Sequence, residues 1–83
     1  MKTNSEKTVE VGATTEEGHE TVLSFTFSQE TLARLKCKDW DELLEKIQLQ
    51  QVDPFKWADD MRWMSYGSVV TTYDLEDATF VSD

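Results

Sequence analysis

The chain has 83 residues, with 17 Asp and Glu against 8 Lys and Arg and a formal net charge of −9. One domain is the only count this length allows. A balance this acidic excludes the usual electrostatic footprint of direct nucleic-acid binding and any attraction to anionic membrane, and leaves basic partners or simple solubility. A body this small buries only about 60–65% of the surface its unfolded chain exposes, so its core must be dense or shared. Three Trp, four Phe, two Tyr and three Met supply the density. Cys37 is the single cysteine, so no intramolecular disulfide forms, in keeping with a reducing cytoplasm. Met1–Thr21 is polar and acidic, without the apolar segment of a signal peptide, and no run approaches a membrane span. A chain that opens on Met is expected to be complete and unprocessed.

Taken in order, residues 1–6 are polar and expected to fray. Lys7–Thr14 alternates, with Val9, Val11 and Ala13 on one side and Thr8, Glu10 and Gly12 on the other, which predicts a half-buried strand. Thr15–Gly18 reads as a turn, where Gly18 supplies positive φ. Glu20–Phe27 alternates again, with Leu23, Phe25 and Phe27 inward, so the two segments predict an antiparallel hairpin. The stretch Ser28–Leu49 then predicts two consecutive helical segments, or one helix kinked across Lys38–Asp39. Ser28 is placed to cap the first, with Leu32 and Leu35 on its apolar face beside Ala33 and Cys37. Asp39 and Glu42 have the layout of a capping box for the second. Trp40, Leu43, Leu44 and Ile47 follow at i, i+3, i+4 and i+7, and Glu42 faces Lys46 one turn on.

Gln48–Val52 reads as a polar exit. Asp53–Pro54 is a fresh helix start, because Asp caps and Pro suits the first helical position. Phe55–Met61 is expected to form a helix of about two turns, although Asp59 and Asp60 near its end oppose the helix dipole. Arg62–Tyr66 fits strand or coil, Gly67 turns the chain, and Ser68–Asp74 is a β-branched strand. Leu75–Asp77 is a turn. Ala78–Val81 is a last strand that pairs back as a hairpin or lies on the first sheet. The whole reads as a single small acidic α+β domain over residues 1–83. It has an N-terminal antiparallel β-hairpin, two to three short helices and a C-terminal β-hairpin, with the sheet covered on one face by helices.

Catalytic patterns are thin. His19 stands among Glu16, Glu17 and Glu20, which reads as a solvated turn rather than a metal site, since structural zinc uses four well-spaced Cys or His ligands. Cys37 is flanked by Lys36 and Lys38 but falls beside an apolar helical face, where a thiol packs rather than reacts. Phosphate loops, nucleophile elbows and metalloprotease helices have no counterpart in these residues. No enzyme, cofactor or metal is expected. The informative stretch is Phe55–Tyr66, which gathers Phe55, Trp57, Trp63, Met61, Met64 and Tyr66. Trp and Tyr dominate protein–protein hot spots, and Met gives an adaptable surface. The alternative is that these side chains complete the core. After Arg62 the chain carries Asp74, Glu76, Asp77 and Asp83 and no base. An aromatic patch rimmed by carboxylates suits a basic, grooved partner.

The expected partner-binding residues are therefore Trp57, Asp59, Asp60, Trp63, Met64, Tyr66, Asp74, Glu76 and Asp77. The expectation is a non-enzymatic, cytoplasmic binding protein that inhibits or regulates a basic, nucleic-acid-binding protein, with nucleic-acid mimicry as one route. In size, acidity and lack of catalytic groups it is like the small anti-defence inhibitors of phages and mobile elements that block CRISPR effectors or restriction enzymes. That likeness is one of type, not of sequence. The alternative is a homodimer, a larger homo-oligomer or a small subunit of an assembly, with the aromatic patch as an apolar interface.

Overall fold

A computed structural model of the chain describes residues 6–63, without the Trp63 side chain, and residues 69–81. Two strands, β1 (Lys7–Thr15) and β2 (Glu20–Phe27), form the expected hairpin, pairing from Lys7 with Phe27 to Thr14 with Glu20. Gly18 takes the positive φ of the turn, at 87°. Alternation sends Val9, Val11 and Ala13 of β1, and Leu23, Phe25 and Phe27 of β2, into one buried cluster with Leu32, Cys37, Leu43, Ile47, Val52 and Ala78. Burial of each of the larger aliphatic and aromatic side chains stabilises the fold by about 1.5–3 kcal/mol.

The chain turns straight from Phe27 into α1 (Gln29–Arg34). The Ser28 hydroxyl accepts the Thr31 N–H at 3.2 Å. Lys36 then adopts φ 60° and the Cys37 N–H closes back on the Leu32 carbonyl, which stops the helix. That left-handed residue makes the two segments separate helices rather than one kinked helix. In α2 (Trp40–Gln48), Asp39 accepts the Glu42 N–H at 2.8 Å, and Glu42 in turn accepts the Lys38 N–H at 2.7 Å. The reciprocal bond thus lands one residue before the cap, a shifted form of the expected box. Leu43 and Ile47 are fully buried, Trp40 and Leu44 partly. Glu42 and Lys46 stand 3.9 Å apart. Gln50, at φ 62°, ends α2 as Lys36 ends α1. Val52, expected in a polar exit, is instead buried in the core.

Downstream the structure departs from the sequence reading. Asp53 caps as expected, accepting the Phe55 N–H at 3.0 Å, but α3 (Pro54–Trp57) is a single turn. Ala58 is already extended, and Asp60–Trp63 forms a strand, β3, antiparallel to β2. Two reasons combine. A second turn would set the Asp59 and Asp60 carboxylates against the negative end of the dipole. As a strand, the segment instead sets Met61 opposite Phe25 and points Arg62 the other way, opposite Ser24. The next strand, β4 (Val70–Tyr73), pairs with β1, with a bulge opposite Thr14 and Thr15. A 3₁₀ turn over Leu75–Asp77 leads to β5 (Thr79–Phe80), which also pairs with β1. β4 and β5 thus lie one after the other along β1: the last strand lies on the first sheet, one of the two expected arrangements, rather than pairing back on β4 as the expected C-terminal β-hairpin.

Among the described residues the result is an α+β fold around a five-stranded antiparallel sheet ordered β3-β2-β1-β4, with β5 beside β1. No helix among the described residues is long and apolar enough to cross a membrane. The expectations of fraying at residues 1–5, a turn at Gly67, and roles for Met64, Tyr66 and Asp83 lie outside the described residues.

Candidate protein-binding surface

Strand alternation that buries one face of the sheet fixes what the other face presents. On β1 these residues are Thr8, Glu10, Gly12 and Thr14; on β2 they are Val22, Ser24 and Thr26. Register adds Asp60 opposite Thr26, Arg62 opposite Ser24, Thr72 opposite Thr14 and Thr79 opposite Glu10. The face is rich in threonine and polar, as a solvated sheet face should be.

Two shallow depressions mark this face. One, of about 710 Å³, has Gly12 in its lining, with Thr14, Val22 and Thr72 beside it and the carboxylates of Glu20, Asp74 and Asp77 around it. Among the described residues, no Lys or Arg belongs to that lining. The other, of about 600 Å³, mixes signs: Glu6, Glu10 and Asp60 stand with Lys7 and Arg62. The Asp60 and Arg62 side chains pair at 3.3 Å. The unbalanced negative charge of this face is therefore concentrated around Gly12.

The Asp74 carboxylate caps the 3₁₀ turn, accepting the Glu76 N–H at 3.1 Å. The same turn holds Asp77 beside it. A side-chain hydrogen bond with Asp74, and then the charge of Asp74, push the Asp77 carboxyl above its ordinary pKa. Two carboxylates this close resist ionising together. Glu76 is exposed on the same turn but does not line the depression.

Asp59 is occupied differently. It accepts the Ser28 N–H at 2.7 Å and the Thr31 hydroxyl at 2.9 and 3.1 Å, while its own N–H donates to the Thr26 carbonyl at 2.8 Å. The Ser28 N–H is the largest of the effects that hold the Asp59 carboxyl below its ordinary pKa; burial opposes it, and the Thr31 hydroxyl adds to it. This carboxylate ties the start of α1 to the start of β3.

Among the described residues the exposed aromatic side chains are Phe55, Trp57 and Tyr73, the first two of them in the stretch singled out in sequence. Phe55 packs edge-on against Phe25, with centroids 5.0 Å apart, and lies 4.8 Å from the Tyr73 ring. Phe55 is 42% and Tyr73 49% exposed. Trp57, at the end of α3, is also partly exposed. Met64, Tyr66 and the Trp63 side chain lie outside the described residues. Tyr73 pairs with Ala13 and so lies on the core side of β4, and it lines the depression together with its neighbours Thr72 and Asp74. The structure thus brings an aromatic pair and the Asp74–Asp77 carboxylates to the same edge of the sheet. It places Asp60 on β3, at the opposite edge.

The Cys37 thiol is buried, and burial pushes its pKa up; Lys46 lowers it, and Glu42 and Asp39 raise it further. The thiol approaches the Leu35 carbonyl at 3.8 Å. Among the described residues, no three His, Cys, Asp or Glu side chains come together to hold a metal ion.

Sequence reasoning missed Glu20, Gly12 and Tyr73. Glu20 was read as part of an acidic turn and the start of a strand, and Gly12 as an outward strand position. Tyr73 carried a signal, since a strand over Ser68–Asp74 alternates Val69, Thr71 and Tyr73, but nothing in sequence shows that Phe55 lies against it. Comparison with protein-family models, curated proteins and solved structures finds no match for this chain.

Proposed function

We propose that this chain is a non-enzymatic binding protein that sets the acidic outer face of its sheet against a basic surface of a nucleic-acid-binding protein and so inhibits it. The observation that carries the reading is the arrangement of Glu20, Asp74 and Asp77 around one depression with no base among its described lining residues. A net charge of −9 steers such a face toward a positive groove and raises the encounter rate at low salt. This is how an inhibitor of the anti-defence kind would occupy the groove of a CRISPR effector or restriction enzyme, in the cytoplasm where both act.

The test is affinity capture from lysate of the encoding organism with the wild-type chain and with a Glu20→Lys/Asp77→Lys double variant. Both positions are exposed, so the variant should keep its melting temperature. The expected result is a basic protein retained by the wild type alone and released as salt rises, because screening weakens exposed charge pairs. Equal retention by both chains would sink the proposal. A second reading draws on the exposed Phe55–Tyr73 pair, which fits an apolar contact in a homodimer or larger assembly. Association through that pair would be insensitive to salt.

A further inference from the structure

β1 has strand neighbours on both sides, and Gly12 sits within it on the face turned away from the core. A glycine inside a strand loses more conformational entropy on folding than other residues and packs no side chain, so its presence calls for a reason. The fold supplies none. The Gly12 backbone does not adopt the left-handed region, and a Cβ built on it meets no atom within 4 Å. What the missing side chain does is open the depression between Glu20 on one side and Asp74 and Asp77 on the other.

We propose that Gly12 leaves room for an arginine side chain of the partner protein, whose guanidinium lies among the Glu20, Asp74 and Asp77 carboxylates. This rests on the reading of the acidic outer face as the docking surface. Charge selects the occupant first, since the described lining residues include three acids and no base. Reach selects it next. The three carboxylates do not converge as a metal site, so the cation must carry its own stem and several donors. A guanidinium offers five donors in a planar fork, whereas an ammonium is a compact point charge. The methyl groups of Val22, Thr14 and Thr72 suit the aliphatic stem. The hydrogen bond with Asp74, and then the Asp74 charge, raise the pKa of the Asp77 carboxyl, and an inserted cation would offset the second of these.

The probe is N-acetyl-triarginine amide, titrated into the ¹⁵N-labelled full chain, with the triornithine and tricitrulline analogues in parallel. Saturable amide shifts at Gly12, Thr14 and Thr72 are expected for arginine only. Gly12→Val alters no charge and adds a strand-favouring side chain, so it should melt at or above the wild-type temperature. It should nevertheless weaken the arginine peptide about tenfold or more, the scale of a lost charge-assisted contact. Gly12→Thr is the second filler should valine crowd Val22. Undiminished affinity in a folded Gly12 variant overturns the proposal, as does equal binding of the ornithine peptide, or magnesium ions shifting the same amides saturably. If Glu20→Lys weakens the peptide and Gly12→Val does not, the arginine pocket falls and the acidic docking face stands. If neither variant weakens it, both fall.

Discussion

Replacing Asp59 by alanine tests whether this carboxylate holds the fold together. Its oxygens accept the Ser28 N–H at 2.7 Å and the Thr31 hydroxyl at 2.9 Å. Thr31 is 5% exposed, so its hydroxyl would lose its acceptor in a place water hardly reaches. Hydrogen bonds to a charged group contribute about 1.5–3 kcal/mol, and a donor left unsatisfied costs about 1–3 kcal/mol. The Asp59 side is exposed, which screens the charge and reduces the sum. A loss of about 1–2 kcal/mol is expected, or roughly 5–15 °C in melting temperature for a domain of this size. The sign of the pH dependence follows from the direction of the shift. The folded carboxyl lies below its ordinary value of 3.8, so its stabilisation is complete above that value and is lost as pH falls through the folded one. Thermal unfolding followed by circular dichroism, wild type against Asp59→Ala, should show a gap at about pH 7 that narrows toward about pH 2. Other carboxylates titrate in both chains and cancel in the difference. Equal melting temperatures at neutral pH, or a gap of constant size down to the acid end, would refute the tie between α1 and β3. Charge reversal at Asp59 is for the same reason a poor probe of binding, since it perturbs folding first.

Leu43 is fully buried in the core cluster, and Leu43→Ala should cost about 2–5 kcal/mol through lost transfer energy and the cavity left behind. Chemical denaturation should move its midpoint accordingly, and a change under half a kcal/mol would contradict that placement. Phe55→Ser removes the ring that stands against Phe25 and Tyr73. If the aromatic pair is an oligomer contact, sedimentation should show the wild type as a dimer or larger and the variant as a monomer. A monomeric wild type at the concentrations tested leaves the pair no such role.

Legibility in the sequence followed the range of the interaction. β1 and β2 were readable because alternation and the Gly18 turn act within a few residues and agree. Ser28, Asp39 and Asp53 were readable as caps because each acts on the N–H two or three residues ahead. The stretch after Pro54 was not. Its apolar residues fit a helix as well as a strand, and pairing with β2 decided between them only once the hairpin existed. The same limit governs the candidate surface. Asp74 and Asp77 are close in sequence and lie on one turn. Glu20 joins them only because β2 and β4 flank β1, and Asp60 is parted from them because β3 takes the far edge. Asp59 resembled any exposed acid until α1 was seen to begin beside it.

The most direct test of the docking proposal is competition on the captured partner. The basic protein retained by the wild-type chain should be mixed with its labelled DNA or RNA, and this chain titrated in while fluorescence anisotropy reports the bound nucleic acid. The expected result is full displacement by the wild type and none by Glu20→Lys/Asp77→Lys. A stable ternary complex, with nucleic acid and chain bound together, would contradict the claim that the acidic face takes the place of nucleic acid on a basic surface.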